Sequence, residues 1–427
     1  MINGIWTVAR WDLTQRIRSR RLLNGWIFWV VALTCLAGLI ASIYHSEMSA
    51  FQGDDWGRQA GPSIFGLVVL LMLAFSLVIV PIFSASAIVS ERESATLATL
   101  QATTLTAGQI VGGKLASACA VAGIFMAGGI PALGIAVGIG HISWWRAAVC
   151  LLVMYASMVL LCAIALGWSA IASRALVSTV LTYLTVFTLT VVLLIIFAFL
   201  SLTTTSQVVR SYWTLTQEQT DAYAATLDAY YDAHIFDDGS TPPAPPLDQC
   251  SLQTDDHQST IAHTDRYWWL LVADPFVIVS DAAPLPPEAR ADIQRYMDIA
   301  TFDPLVWIAY LVRSARLGGA TTRNSCFTGE TSFVGMGYNN RYYQVVPNND
   351  GSFTISQSLS SNSNDTRTTA VVPRPPSPVP PRPVTMDTPL WPIGLGVNLL
   401  IAALFFWIAV RRVRVPYGQL PKGQRVA

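Results

Sequence analysis

Charged residues are scarce in this chain: they make up 12% of its 427 residues, whereas a typical soluble domain has about 25%. Asp, Glu and Lys are missing altogether from six apolar stretches, each of which is long enough to cross a membrane as a helix. These stretches, spans 1 to 6, cover residues 22–44, 63–89, 115–139, 147–172, 175–201 and 392–410. With a mean hydropathy of +0.45, the composition argues against a soluble enzyme and predicts a multi-pass membrane protein.

The chain also lacks a net charge, because 26 Lys and Arg balance 26 Asp and Glu. A nucleic-acid partner is therefore not expected, since binding to phosphate backbones needs a basic excess. The charges are nevertheless separated. The termini and the loops after spans 2 and 4 hold 13 Lys or Arg and three acids, whereas residues 202–391 hold 11 Arg, no Lys and 20 acids. The positive-inside rule places both termini in the cytoplasm of a plasma-membrane protein and residues 202–391 outside.

These observations predict a membrane all-α fold with six transmembrane helices and a large extracytoplasmic α+β domain between helices five and six. In the outer segment, we expect a helix over 211–235, an apolar stretch at 266–283 interrupted by Asp274 and Pro275, and a hairpin over 331–358. The predicted domains are a cytoplasmic amphipathic interfacial helix (1–21), helices one to five (22–201), the outer domain with its Pro-rich strut (202–391), helix six (392–410) and a basic tail (411–427).

Reactive side chains are few. Cys250 and Cys326 are the only cysteines of the outer segment, and an even pair in an oxidising compartment predicts a disulfide; two free thiols are the alternative. The acids and histidines around His257 have generic spacing, so no metal site is predicted. The sequence shows no Ser/His/Asp or Cys/His pattern for nucleophilic catalysis, and no catalytic residues are predicted.

The loop after span 2 carries the most specific motif. Three charges end the span, leucines and alanines follow at helical spacing, and Ile110-Val111 and Gly113-Lys114 lead into span 3. This pattern resembles the permease subunit of bacterial ABC-2 type (ABCG-like) ABC transporters. Ala95 stands where that family has Gly, and Thr104 where it has Pro. Gly108–Lys114 also fits G-x-x-x-x-G-K, but Leu115 follows it instead of the Ser or Thr of a nucleotide-binding loop.

The resemblance implies a function and partners. Residues of about 90–107 would form a coupling helix that seats in a cytoplasmic ABC ATPase, and ATP with Mg²⁺ would bind that partner and not this chain. A second permease, as homodimer or heterodimer, would complete a path for export of a hydrophobic or amphipathic substrate. The residues that match the coupling motif are Glu91, Arg92, Glu93, Thr96, Leu97, Leu100 and Thr103.

Spans 2 and 5 line the substrate path in the family. The corresponding candidates here are Phe75, Ile79, Thr179, Thr182, Tyr183 and Val186. The threonines of span 5 have a second interpretation, in which each hydroxyl bonds a carbonyl of its own helix. Two other functions are considered: a membrane-anchored extracytoplasmic binding or sensing protein, and an intramembrane enzyme, although the spans lack the paired acids that such an enzyme needs.

Overall fold

Helices make up most of the fold in the computed structural model. It describes residues 2–17, 20–52, 56–94, 105–233, 242–244, 246–286, 302–318, 322–324, 332–336, 342–347, 353–358, 366–372 and 388–414. The helices are α1 (Ile2–Ile17), α2 (Arg20–Gln52), α3 (Trp56–Ala85), α4 (Val89–Glu93), α5 (Ala107–Ala127), α6 (Ile130–Gly140), α7 (Trp144–Ile171), α8 (Ala175–Phe187), α9 (Leu193–Thr203), α10 (Gln217–Ala233), α11 (Pro275–Ala282), α12 (Pro304–Leu317) and α13 (Trp391–Val413).

Six candidate membrane spans are found among the described residues, as the sequence predicts. They are Leu23–Ser46, Ala60–Glu93, Ala107–Ala127, Trp144–Ile171, Ala175–Thr203 and Trp391–Val413. The first lies in α2 and the last is α13. The second runs from α3 into α4, and the fifth joins α8 to α9 through a π-helical turn. The chain is therefore a multi-pass membrane protein by the length and composition of its helices.

The third predicted span, 115–139, is divided between two helices. α5 ends at Ala127 and α6 begins at Ile130. Side chains on the two intervening glycines would collide with neighbouring helices, since a Cβ on Gly128 would lie 3.0 Å from Trp26 Nε1 and one on Gly129 only 2.2 Å from Met72 Cε. The break thus occurs where side chains of α2 and α3 pack directly on the backbone.

A helix is present at the N-terminus, α1, and it packs along the first half of α5. Val8 is buried against Gly113, while Trp6 and Trp11 are exposed. That α1 is amphipathic and lies in the cytoplasmic interface stays a prediction.

Two small sheets lie between α9 and α13. Their strands are β1 (Thr205–Thr214), β2 (Ser251–Ala262), β3 (Thr322–Asn324), β4 (Ser332–Met336), β5 (Tyr342–Pro347), β6 (Phe353–Ser358) and β7 (Thr366–Val372). The first sheet has the order β2-β1-β3, and the second is an antiparallel β4-β5-β6-β7 meander that contains the predicted hairpin. The helix expected over 211–235 starts later than predicted. Residues up to Thr214 pair in β1, and the helix starts only after a capping box between Thr216 and Gln219.

The apolar core is built mainly from α3, α5 and α7, whose fully buried side chains include Phe65, Met72 and Met154. Cys250 is buried and is not among the free thiols. Its expected partner Cys326 lies outside the described residues, as do the strut at 373–383 and the end of the tail, so the disulfide stays a prediction.

Candidate functional site

A buried ion pair marks one end of the helix bundle, which we call the Lys114 end. Lys114 Nζ, two turns into α5, lies 2.6 Å from Glu91 Oε1 in α4. The two side chains are 3% and 14% exposed, so both charges are largely removed from water. Near them, Ser117 Oγ donates hydrogen bonds to the buried Asp12 carboxylate of α1 and, at 3.0 Å, to Lys114 O. The pair joins the predicted coupling motif to α5.

The next two charges of the motif each reach the end of a different helix. Arg92 donates from Nη1 and Nη2 to the carbonyl oxygens of Ala172 and Ala170, at 3.3 and 3.4 Å, where α7 ends. Glu93 Oε1 accepts a 2.9 Å hydrogen bond from the backbone N–H of Ala175, where α8 begins. The signs match the helix dipoles, since a cation lies at a C-terminus and an anion at an N-terminus.

The junction between α3 and α4 is held by the same two helices. Ser169 Oγ of α7 accepts hydrogen bonds from the backbone N–H groups of Ile88 and Val89 at 3.0 and 3.1 Å. Ser178 Oγ of α8 donates to the carbonyl of Ala85, the last residue of α3. Together with the contacts of Glu91, Arg92 and Glu93, these hydrogen bonds hold α4 and its junction with α3 against α5, α7 and α8.

Of the predicted coupling residues, the structure brings Glu91, Arg92 and Glu93 together at this end. Thr96, Leu97, Leu100 and Thr103 lie outside the described residues, which resume at Leu105. Thr106 then caps α5 through a capping box with Gln109. The described parts of the motif are thus its two anchored ends.

The predicted path residues occupy several environments. Phe75 packs its ring against Trp29 of α2, with ring centroids 5.0 Å apart, whereas the Tyr183 hydroxyl donates to Val78 O and joins α8 to α3. Ile79 and Val186 are partly buried against the core. Thr179 and Thr182 donate to carbonyls four residues earlier, which agrees with the second interpretation of these hydroxyls.

Sequence reasoning missed two buried ion pairs at the opposite end of the bundle, which we call the Arg146 end. Arg146 Nη2 of α7 lies 2.8 Å from Asp303 Oδ2, and Asp303 also caps α12. Arg313 Nε of α12 lies 2.5 Å from Asp281 Oδ1. The other Asp281 oxygen accepts hydrogen bonds from the backbone N–H groups of Leu390 and Trp391 at the start of α13.

A signal for this end was present in the sequence. Asp274-Pro275 and Asp303-Pro304 each place an N-cap residue before a proline at the first helical position. Asp274 and Pro275, which interrupt the apolar stretch at 266–283, are thus the N-cap and the first residue of α11. Burial raises the pKa of the Asp274 carboxyl to about 7, although a hydrogen bond from Phe276 N opposes the shift.

One serine–histidine contact was not expected. Ser206 Oγ lies 2.9 Å from His263 Nε2, but His263 Nδ1 is 3.8 Å from Asp265 Oδ1, beyond hydrogen-bond range. The contact joins Ser206 of β1 to the residue that follows the end of β2, and we assign it no catalytic role. Among the side chains that the structure describes, no group of three His, Cys, Asp or Glu is placed to hold a metal ion.

Comparison with known proteins adds no relative: no family model and no curated protein matches the chain. The function is therefore inferred from the motif and from the geometry at the Lys114 end.

Proposed function

We propose that this chain is the membrane-spanning permease subunit of an ATP-driven transporter of the ABC-2 type, which exports a hydrophobic or amphipathic compound. A separate cytoplasmic subunit binds and hydrolyses ATP with Mg²⁺, and a second permease completes the path. In this arrangement the Lys114 end faces the cytoplasm, and the segment between α9 and α13 lies outside.

One observation carries the proposal. Three consecutive charged residues each hold a different helix: Glu91 holds α5, Arg92 the end of α7 and Glu93 the start of α8. A force applied to this segment by a partner acts on the ends of three spans at once. A transporter needs such a connection, because ATP hydrolysis on the partner must change the arrangement of the spans.

The composition of the spans favours an apolar cargo. They lack the acidic groups that mark ion and proton pathways in membranes, apart from Glu91 and Glu93 at the end of the second span. The threonine hydroxyls of α8 bond carbonyls of their own helix, so this face offers few free polar groups to a charged solute.

The test is to purify the tagged full chain from its native membrane in mild detergent. We expect a stoichiometric subunit with a nucleotide-binding loop, and MgATP hydrolysis that falls when Glu93→Gln is introduced. Glu93 is exposed, so this variant should assemble normally. Gln217→Ala, on the exposed face of α10, is the matched control and should leave the hydrolysis rate unchanged.

A chain that purifies without any ATPase under several gentle conditions would contradict the proposal. The alternative, a membrane-anchored binding or sensing protein, would then be favoured. In that protein the segment between α9 and α13 would bind the ligand. If the complex hydrolyses MgATP at the same rate with and without Glu93→Gln, the proposed role of α4 is wrong. That result would not contradict the assignment of the chain to a transporter.

A further inference from the structure

The short helix α12 lies level with the membrane-spanning part of the bundle at its Arg146 end. A Cβ on Gly66 of α3 would come within 2.6 Å of the Pro304 ring, so Pro304 packs directly on Gly66. Gly66 is six residues inside the second span, which begins at Ala60. At 1.5 Å per residue, the start of α12 is about 9 Å below the end of that span.

Two other spans contact the segment that contains α11 and α12. Ile308 of α12 and Phe197 of α9 pack against one apolar cluster, and Phe197 is six residues before the fifth span ends at Thr203. At α13, a Cβ on Gly394 would lie 2.1 Å from Val272 O, so the chain leading to α11 presses on the first turn of the sixth span. The start of α12 therefore lies beside the end of the second span and not above it.

The outward face of α12 is apolar. Leu305, Val306, Ala309 and Val312 are buried toward the bundle, whereas Trp307 and Leu311, one turn apart, are 41% and 42% exposed. Phe302 is also exposed and its ring lies 5.9 Å from that of Trp307. Arg316 in the last turn is the first exposed charge of this helix.

Aromatic side chains of a neighbouring span mark the same level. Arg146, which pairs with the N-cap Asp303 of α12, follows Trp144 and Trp145, and these are 71% and 70% exposed in the first turn of α7. Tryptophan is enriched at the depth of lipid headgroups. The exposed face of α12 therefore continues the lipid-facing surface of the spans.

We propose that α12 is seated in the lipid of the leaflet at the Arg146 end, with Trp307 and Leu311 in contact with phospholipid at the boundary between headgroups and acyl chains. The buried Asp281–Arg313 pair lies behind this face and attaches the lipid-seated helix to the start of α13. The proposal needs only the membrane-spanning helices and is independent of transport.

The test uses the full chain with the photoreactive residue benzoylphenylalanine at position 307 or 311, reconstituted in phosphatidylethanolamine and phosphatidylglycerol vesicles. Position 400 in α13, where Leu400 is 73% exposed, is the lipid-facing control, and position 217 in α10 is the control away from the spans. After illumination, mass spectrometry should find phospholipid adducts at 307 and 311 in yields comparable with position 400, and none at 217.

Lipid adducts at 400 but not at 307 and 311 would overturn the proposal, as would chain-to-chain products at 307 and 311, which would assign this face to a protein contact. Each variant must elute and unfold as the unmodified protein does, so that a lost adduct cannot come from misfolding. If the substitution at one of the two positions disturbs folding, the adducts at the other position still test the proposal.

Discussion

Glu91 stands at the start of the predicted coupling segment and Lys114 follows its end, and a 2.6 Å ion pair joins the two side chains. Of the 22 residues between them in the sequence, the first lie in α4 and the last in α5, so the pair joins these two helices at the Lys114 end of the bundle. The buried pair therefore holds α4 against α5 on both sides of this segment.

The first prediction concerns this pair. Glu91→Leu leaves the Lys114 ammonium buried without its carboxylate, and removing one partner of a buried ion pair costs about 3–5 kcal/mol. Lys114→Met should be similarly destabilising. The double variant removes both charges and should recover most of the loss, which thermal unfolding in nanodiscs would measure. A loss in the double variant equal to the sum of the two single losses would show that the pair contributes no coupling energy.

A second prediction follows from the pair at the Arg146 end. Arg313→Met leaves the buried Asp281 carboxylate with only its backbone donors from the start of α13, and we expect a loss of about 3 kcal/mol or more. Arg316→Met on the same helix removes an exposed charge that lies over the Trp268 ring and should cost about 1 kcal/mol or less.

Hydrogen exchange gives this second prediction a local readout. The amides of Leu390 and Trp391 should exchange faster in Arg313→Met than in Arg316→Met, because the carboxylate that accepts from them is no longer held in place. Unchanged protection of the first turn of α13 would contradict the assigned role of Asp281.

The third prediction uses two adjacent glycines of α5. A Cβ on Gly113 would lie 2.6 Å from Val8 Cβ and 3.0 Å from Ile5 O, so Gly113→Ala forces α1 away from α5. Overpacking of this kind typically costs about 1–3 kcal/mol. A Cβ on Gly112 meets Ile5 Cδ1 at 3.6 Å, an ordinary contact. Gly112→Ala should therefore be neutral or slightly stabilising, since Ala favours a helix by about 1 kcal/mol over Gly.

Trypsin cleavage provides the direct measurement for α1. Arg10 is exposed on α1, and cleavage after it should be faster in Gly113→Ala than in the wild type or in Gly112→Ala. If both alanine variants are cleaved at the wild-type rate, the close packing of α1 on α5 is wrong.

The number of spans was predictable from sequence because each is an apolar run of sufficient length, free of Asp, Glu and Lys. The start of α10 was not predictable, because the polar and apolar residues before Thr216 are compatible with a strand as well as with a helix. The separation of α5 from α6 follows from packing of Trp26 and Met72 on Gly128 and Gly129, and only the tertiary fold brings those residues together.

The contacts of the candidate site could not be predicted for the same reason. The motif identified Glu91, Arg92 and Glu93, but not the helices to which they bond, since Ala172 and Ala175 are some 80 residues away. The Asp281–Arg313 and Arg146–Asp303 pairs were missed because each charge alone looks like an isolated polar residue in an apolar stretch. Aspartate before proline at 274 and 303 was the one local signal.

The last prediction is a pH dependence at Asp274, which lies in the turn before α11. Burial raises the pKa of its carboxyl from 3.8 to about 7, so between these pH values the folded protein holds a proton that the unfolded chain has released. The contribution of Asp274 to stability is therefore full below about pH 4 and is lost as pH rises toward 7, with a slope of up to about 1.4 kcal/mol per pH unit. Asp274→Asn removes the titration and keeps an N-cap of equal quality. The difference in unfolding temperature between Asp274→Asn and the wild type should grow in favour of Asn from pH 4 to pH 7, and a difference that stays constant would show that Asp274 remains ionised in the fold.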